Sequence, residues 1–493
     1  MISNFKKSNV KSLIPDCANQ TPDYYCTWQT QLYATSDGKP EMQRRMIGEK
    51  AMFEKEKPYG WAYFYENARK DLYFVMDDSW DVPLDGNRDY LGSLVLNEEK
   101  FPTFCADANP LKKLSDKMKE IGWKGLGGWV CAQESKLFFD GENPDEYWID
   151  RLKMCQESGI RFLKVDWGQK KVDFEFRKNL VQLGKKYAPD ITVENALVPE
   201  VIPFSDVYRT YDVPAIMSIP MTIERILSCI GADKPSGNAS GLLNCEDEVY
   251  IAAACGFTMG VMRHPYKGAF PDGKSDMSFP ECHRNLKSKM KEVERAVNWH
   301  KIAPAFSVGD KYFVSEESIH DYFEFKEPDK EIESWWFNVG GIDTCVKGNV
   351  LYKSAKACLS RGISLPEITP DELGNKPYVV AAKNPNGAIS VATLGRTLGR
   401  KYYIPKCDIT LNSEDCTIFG VFGEYRNLIL RRSCPYENIL IQDLAGGQVF
   451  DITDLVHKKD DCLIIPGDII GKIGTIENPS DDTSEPGVVI KVI

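Results

Sequence analysis

Arg161-Phe162-Leu163-Lys164-Val165-Asp166-Trp167 is the stretch on which the fold turns. It opens on apolar residues, ends on a carboxylate, and is short enough to be one strand. Residues two apart on a strand point to the same face, so Lys164 and Asp166 share one. Lys164 is thereby placed to favour the charged form of Asp166 or to bind a ligand hydroxyl. Working outward, Glu146–Ser158 and Phe174–Tyr187 carry apolar residues at helical spacing, which predicts a helix on each side of the strand.

The same alternation extends in both directions. Tyr25–Gln31 reads as a first strand, with a helical stretch over Glu41–Lys55 after it. Leu72-Tyr73-Phe74-Val75-Met76 is continuously apolar, as a strand buried on both faces requires, and it runs into Asp77-Asp78. Pro110–Ile121 predicts a helix with Asn109 at its cap, and Gly125–Cys131 the next strand. Beyond Asp166 come strands at Ile191–Val193, Asp206–Tyr211, Gly241–Leu243 and Phe257–Met262, with helices at Met221–Ile230 and Asp247–Cys255. Some eight strand–helix units in this length predict a (β/α)8 TIM barrel, whose active site lies at the carboxyl ends of the strands.

The chain has 493 residues, more than one hydrophobic core accommodates, so two domains are expected. After about Pro304 short β-rich runs replace the alternation: Tyr378–Ala382, Ala388–Thr393, Cys416–Phe422, Asn427–Leu430, Ile439–Ile441 and Cys462–Ile465. Turn signals such as Asn384-Pro385-Asn386-Gly387 separate them, predicting an antiparallel β-sandwich. The expected division is a catalytic barrel over 1–303 and a C-terminal sandwich over 304–493.

The formal net charge is −11 with no basic run, which argues against a nucleic-acid partner. No stretch approaches 18 apolar residues, so no membrane span is expected. The 15 cysteines contain no C-x-x-C pair, and the five histidines form no metal-binding pattern. Met1–Gln20 lacks the apolar core of a signal peptide. The compartment stays open between cytoplasmic and, with a leader removed, periplasmic or secreted.

Carboxylates at strand ends suit glycosidic cleavage, which needs two of them flanking the anomeric carbon. The candidates are Asp77, Asp78, Asp166, Glu194 and Asp212. Lys164-Val165-Asp166 resembles the K-x-D nucleophile motif of clan D glycoside hydrolases, the α-galactosidase-like family 27 and more distantly family 36. Asp77-Asp78-Ser79-Trp80 is similar to the family's D-D-x-W, whose aspartates grip sugar hydroxyls at C4 and C6. Gly92-Ser93-Leu94 with Glu99-Lys100-Phe101-Pro102 is similar to the stretch that follows it, and Ile121–Trp129 to the third-strand segment G-L-K-L-G-I-Y. Trp28 resembles the tryptophan that ends the first strand. Together these cover nearly all of 21–300 in the family's order.

The resemblance implies Asp166 as nucleophile and Asp212 as acid/base. It further implies Trp28, Asp77, Asp78, Trp129, Lys164, Glu194 and Arg209 as substrate-binding residues. Three departures stand beside it. Asn195 replaces a tryptophan after Glu194; Arg209 and Asp212 are three residues apart where four is usual; and Ser240–Glu248 replaces the seventh-strand W-N-D-P-D. Asp206 is the reserve acid/base, although it starts its strand.

The implied activity is a retaining exo-glycosidase releasing α-linked galactose-type sugar from an oligosaccharide or glycoconjugate. α-N-Acetylgalactosaminides and β-L-arabinopyranosides are the alternative substrates on this scaffold, and a non-catalytic sugar-binding paralogue is the competing class. No metal or organic cofactor is expected, and a homo-oligomer is compatible with the sequence.

Overall fold

The computed structural model describes residues 5–35, 40–56, 58–210, 217–246, 248–262, 289–309, 311–324, 346–347, 350–414, 416–480 and 482–493. A short strand β1 (Lys6–Lys7) precedes eight strands that form one sheet: β2 (Tyr24–Cys26), β3 (Tyr73–Met76), β4 (Gly125–Val130), β5 (Ile160–Val165), β6 (Thr192–Asn195), β7 (Val207–Arg209), β8 (Leu242–Asn244) and β9 (Gly260–Val261). Their order is β8-β7-β6-β5-β4-β3-β2-β9, with every neighbouring pair parallel. A parallel bridge from Asn244 to Thr258 joins the two ends, so the sheet closes into the expected barrel.

The interior is filled by large side chains meeting small ones. The Tyr24 and Phe162 rings lie 4.7 Å apart inside the barrel. Gly127 on β4 makes room for Phe162, since a Cβ there would stand 2.8 Å from that side chain. Outer helices include Pro110–Ile121, Pro144–Glu157, Phe174–Tyr187, Ser218–Cys229 and Val249–Cys255. Asn143 and Asp173 cap two of them by accepting from backbone N–H groups of the first turn.

Two expected elements differ. The first strand stops at Cys26, and helix α1 (Trp28–Tyr33) begins where a strand through Gln31 was expected. Thr27 makes the change: its carbonyl accepts from Gln31 N at 2.8 Å, while its hydroxyl accepts from Asp77 N at 2.9 Å. The helical stretch over 41–55 divides into α2 (Pro40–Arg45) and α3 (Glu49–Phe53). Gly48 between them is extended, and its Cα passes so close to Lys100 that a Cβ would stand 2.9 Å from the Lys100 carbonyl oxygen.

C-terminal to the barrel lie a nine-stranded sheet and two five-stranded sheets. Most of their strand pairs are antiparallel; four are parallel, such as Cys358–Arg361 with Tyr378–Lys383. The first residues of the chain join the nine-stranded sheet, Lys6 pairing with Asp451. Val379, Ala381, Val391 and Val421 on one face of that sheet pack with Ile409, Leu428 and Ile465 of a five-stranded sheet, forming a sandwich core. Tyr378, Val380, Ala392 and Phe422 turn the other way and join the barrel core. A sheet covered on both faces explains why Tyr378–Ala382 is continuously apolar.

Buried arginines stitch the two regions together. Arg361 donates to the carbonyls of Cys255 (3.0 Å), Gly256 (3.1 Å), Phe306 (2.9 Å) and Ser307, closing the C-terminal end of helix Val249–Cys255. Arg295 forks onto Asp443 at 2.9 and 3.2 Å. Arg361→Ala would take the side-chain donor from the Cys255, Phe306 and Ser307 carbonyls, while Gly256 keeps the Phe306 N–H; each buried carbonyl left unpaired costs ~1–3 kcal/mol. We expect a loss of about 3 kcal/mol or more, read as a lower urea midpoint with an unchanged denaturant slope.

Candidate active site

Parallel strands in a closed barrel bring their carboxyl ends to one rim, and the polar residues of this chain gather there. Asp166 follows β5 directly. Its Oδ1 accepts from Arg209 Nη2 at 2.9 Å and its Oδ2 from Trp129 Nε1 at 3.0 Å. Its backbone is fixed as well, the N–H donating to Val130 O at 3.0 Å and the carbonyl accepting from Arg177 Nη2 at 2.7 Å. The Asp166 side chain keeps 13% of its surface exposed, whereas that of Arg209 keeps none. The carboxylate is therefore oriented by fixed donors on both oxygens and left partly exposed.

Arg209 ends β7 and serves more than one carboxylate. Besides Asp166, it donates through Nη1 to Glu194 Oε1 at 3.4 Å, and its Nε lies 3.9 Å from Glu246 Oε1. Glu194, on β6, is fully buried; Tyr24 OH donates to it at 2.9 Å and Asn244 Nδ2 at 2.7 Å. Burial raises the Glu194 pKa, against the opposing pull of Arg209 and Asn244.

Lys164 is not the ion-pair partner of Asp166. Its Nζ reaches Asp77 Oδ2 at 2.6 Å, with Met262 Sδ at 3.2 Å and Cys26 Sγ at 3.7 Å. Two residues along a strand are about 6.6–6.8 Å apart, so sharing a face does not bring their charged ends together. Burial disfavours the Lys164 charge, but Asp77 and Cys26 outweigh it and hold the pKa above its ordinary value. The Cys26 thiol also donates to Asp77 Oδ2, at 2.7 Å.

Asp78, at the end of β3, is buried. Its Oδ2 accepts from Arg44 Nε (2.9 Å) and Trp167 Nε1 (3.1 Å), and its Oδ1 accepts from Ser79 Oγ (2.8 Å). Burial raises its pKa and Arg44 opposes the rise. Trp129 is fully buried behind Asp166, and its ring lies 5.3 Å from that of Trp167. Trp28 is half-buried at the start of α1, packed against Tyr24, Cys26, Val75, Phe162 and Met262. Asp212 lies outside the described residues. Asp206, the reserve, sits at the opposite end of its strand, paired with Lys185 at 2.6 Å.

Sequence reasoning missed Tyr24, Cys26, Arg44, Arg177, Glu246 and Met262. One carried a usable signal. Arg177 shares the buried face of its helix with Leu180, Val181 and Gly184, and a charge in an apolar stripe demands a partner. Asn195, the residue in the tryptophan slot, accepts from Arg177 Nη1 at 3.2 Å and so braces the arginine that holds the Asp166 carbonyl. Among the described residues no cluster of metal-binding side chains occurs, no disulfide forms, and no helix is long and apolar enough to cross a membrane.

No protein-family model and no curated protein sequence matches the chain. Among solved structures, α-galactosidase I from Mortierella vinacea is similar at 11% identity and a TM-score of 0.43, over 96% of this chain and 98% of that one. An α-amylase from Anoxybacillus gives 11% and 0.44, over 97% and 99%. The GH27 β-L-arabinopyranosidase from Geobacillus stearothermophilus gives 11% and 0.39, over 62% and 80%. Likeness this loose carries no argument about activity, which rests on the site's own residues.

Arg209→Met would leave buried carboxylates without their cation, a loss of about 3–5 kcal/mol by analogy with other broken buried pairs. Adding Asp166→Asn and Glu194→Gln is expected to restore part of that stability, measured as coupling in urea unfolding.

Asp81, beneath Asp78, supplies a second check. It is buried, its Oδ1 has no hydrogen-bond partner among the described residues, and burial pushes its pKa from 3.8 to about 7. A carboxyl raised in the native state keeps a proton that the unfolded chain has lost. Its contribution is thus complete below the unfolded value and disappears as pH rises through the folded one. Melting temperature is expected to fall between about pH 4 and pH 7 through this group, and Asp81→Asn to flatten that fall.

Proposed function

We propose that this chain is a retaining exo-glycosidase for α-linked galactose-type sugars, with Asp166 as nucleophile. The observation that carries this reading is the Asp166 carboxylate at the strand-end rim, held by one N–H donor on each oxygen and still 13% exposed. A nucleophile needs that arrangement: fixed direction, and no competing proton donor in front.

In the proposed reaction Asp166 attacks the anomeric carbon as a second carboxyl protonates the leaving oxygen. The covalent glycosyl–enzyme is then released by water, which the second carboxyl activates by removing a proton. Asp212, three residues beyond Arg209, is assigned that role. Asp77 is suited to hold a sugar hydroxyl: Lys164 and Cys26 engage its Oδ2, and Oδ1 makes no hydrogen bond among the described residues. Trp28 is assigned to the pocket wall, while Glu194 and Arg209 support the site from below. The family resemblance in Lys164-Val165-Asp166 and Asp77-Asp78-Ser79-Trp80 supports the same substrate class.

Nitrophenyl α-galactoside, α-N-acetylgalactosaminide and β-L-arabinopyranoside separate the candidate substrates. Asp166→Ala is expected to lower kcat by about a thousandfold or more, with azide restoring turnover to give a glycosyl azide of inverted configuration. NMR of the first product formed by the wild type should show the substrate's anomer. Turnover of none of the three glycosides, or near-normal activity in Asp166→Ala, overturns the proposal.

A further inference from the structure

Asp78 has few acceptor sites left for a sugar. A carboxylate offers about four lone-pair sites. Arg44 and Trp167 occupy Oδ2 and Ser79 occupies Oδ1. At this corner of the rim the group with open capacity is the guanidinium of Arg44. Only its Nε is committed, to Asp78; Nη1 and Nη2 make no hydrogen bond among the described residues. About 24% of the Arg44 side chain is exposed, against 2% for Asp78.

The arginine is held in place from several sides. Its guanidinium carbon lies 5.3 Å from the ring centre of Trp167, the residue that follows Asp166. The Arg44 carbonyl accepts from Lys100 Nζ at 3.0 Å, and the same ammonium binds the Ser79 carbonyl at 2.6 Å. Gln43, next to it, donates to the Trp28 carbonyl at 2.6 Å. These contacts dock α2 onto the ends of β2 and β3, so Arg44 is a fixture of the rim.

The polarity of this corner is therefore reversed. A carboxylate with open lone pairs would accept from a sugar hydroxymethyl group, whereas an arginine edge donates, and its planar pair of amino groups matches a carboxylate. The neighbouring charges do not oppose an anion strongly, because Asp78 is paired with Arg44 and Asp77 with Lys164. We propose that Arg44 is a specificity-determining residue that selects a sugar bearing a carboxylate at C6, a galacturonic-type residue, over its neutral counterpart. The assignment to C6 rests on the galactose-type reading above, in which the Asp77–Asp78 corner faces C4 and C6.

Calorimetric titration of the full chain with D-galacturonate and with D-galactose tests this directly. Wild type is expected to bind galacturonate about tenfold more tightly, a difference of about 1.4 kcal/mol. Arg44→Gln should remove that preference, and Arg44→Lys should keep part of it, with melting curves confirming that both variants fold. Equal or tighter binding of galactose, no binding of either sugar, or a preference that survives Arg44→Gln overturns the inference. Turnover distinguishes this from failure of the underlying reading. Galacturonate preference without hydrolysis of any nitrophenyl galactoside or galacturonide sinks the glycosidase and leaves the Arg44 assignment. Hydrolysis of the neutral galactoside, with a galacturonide ratio unmoved by Arg44→Gln, does the reverse.

Discussion

The fully buried guanidinium of Arg209 is the constraint around which the site is arranged. Asp166 after β5, Glu194 on β6 and Glu246 after β8 all approach it. A closed barrel forces such a meeting, because parallel strands deliver their last side chains to one small rim. Carboxylates packed there repel one another and lose hydration, and a planar cation with several N–H groups can answer more than one of them. The same group fixes the direction of the Asp166 carboxylate, so charge balance and carboxylate orientation are set by one side chain.

Around that centre the rim is built from paired charges. Lys164 closes on Asp77, with Cys26 and Met262 around the ammonium; Arg44 closes on Asp78 against Trp167. Each pair leaves something unspent: an Asp77 oxygen in one, the Nη groups of Arg44 in the other. On the proposed reading, ligand selection follows from those remainders more than from the residues' formal charges. An aspartate whose oxygens are taken is a support, and the arginine it supports becomes the reading group.

Much of this was legible in sequence, and the part that was not has a physical reason. Apolar runs and helical spacing located β5, its flanking helices and the barrel, because buried strands and amphipathic helices leave a periodic trace. The strand-end carboxylates followed from the same trace. Partnership across the barrel did not. Lys164 and Asp166 share a face by periodicity, yet each finds its partner on another strand, Asp77 after β3 and Arg209 on β7. Arg44 lies on a short helix whose docking depends on Gln43, Lys100 and Trp28, positions far apart along the chain. Pattern along the chain fixes which way a side chain faces; which group it meets is fixed by closure.

The C-terminal sheets act at a distance from this chemistry. Among the described residues, every hydrogen-bond partner of Asp166, Lys164, Asp78 and Glu194 comes from the barrel or its loops. The sheets instead hold the barrel by its outer helices. Arg361 closes the end of Val249–Cys255, and Arg295 on helix Lys289–Ile302 forks onto Asp443. Val249–Cys255 runs between β8 and β9, a pair with no strand ladder among the described residues, joined by the Asn244–Thr258 bridge and by Gly260 N–H donating to Asn244 Oδ1 at 2.8 Å. A closed barrel is no firmer than its narrowest seam, and Asn244 at that seam is also a donor to Glu194. Clamping the helix that spans the seam therefore steadies the buried network beneath Asp166. That is a mechanical reason for a barrel of this shape to carry a sandwich that supplies none of these contacts among the described residues.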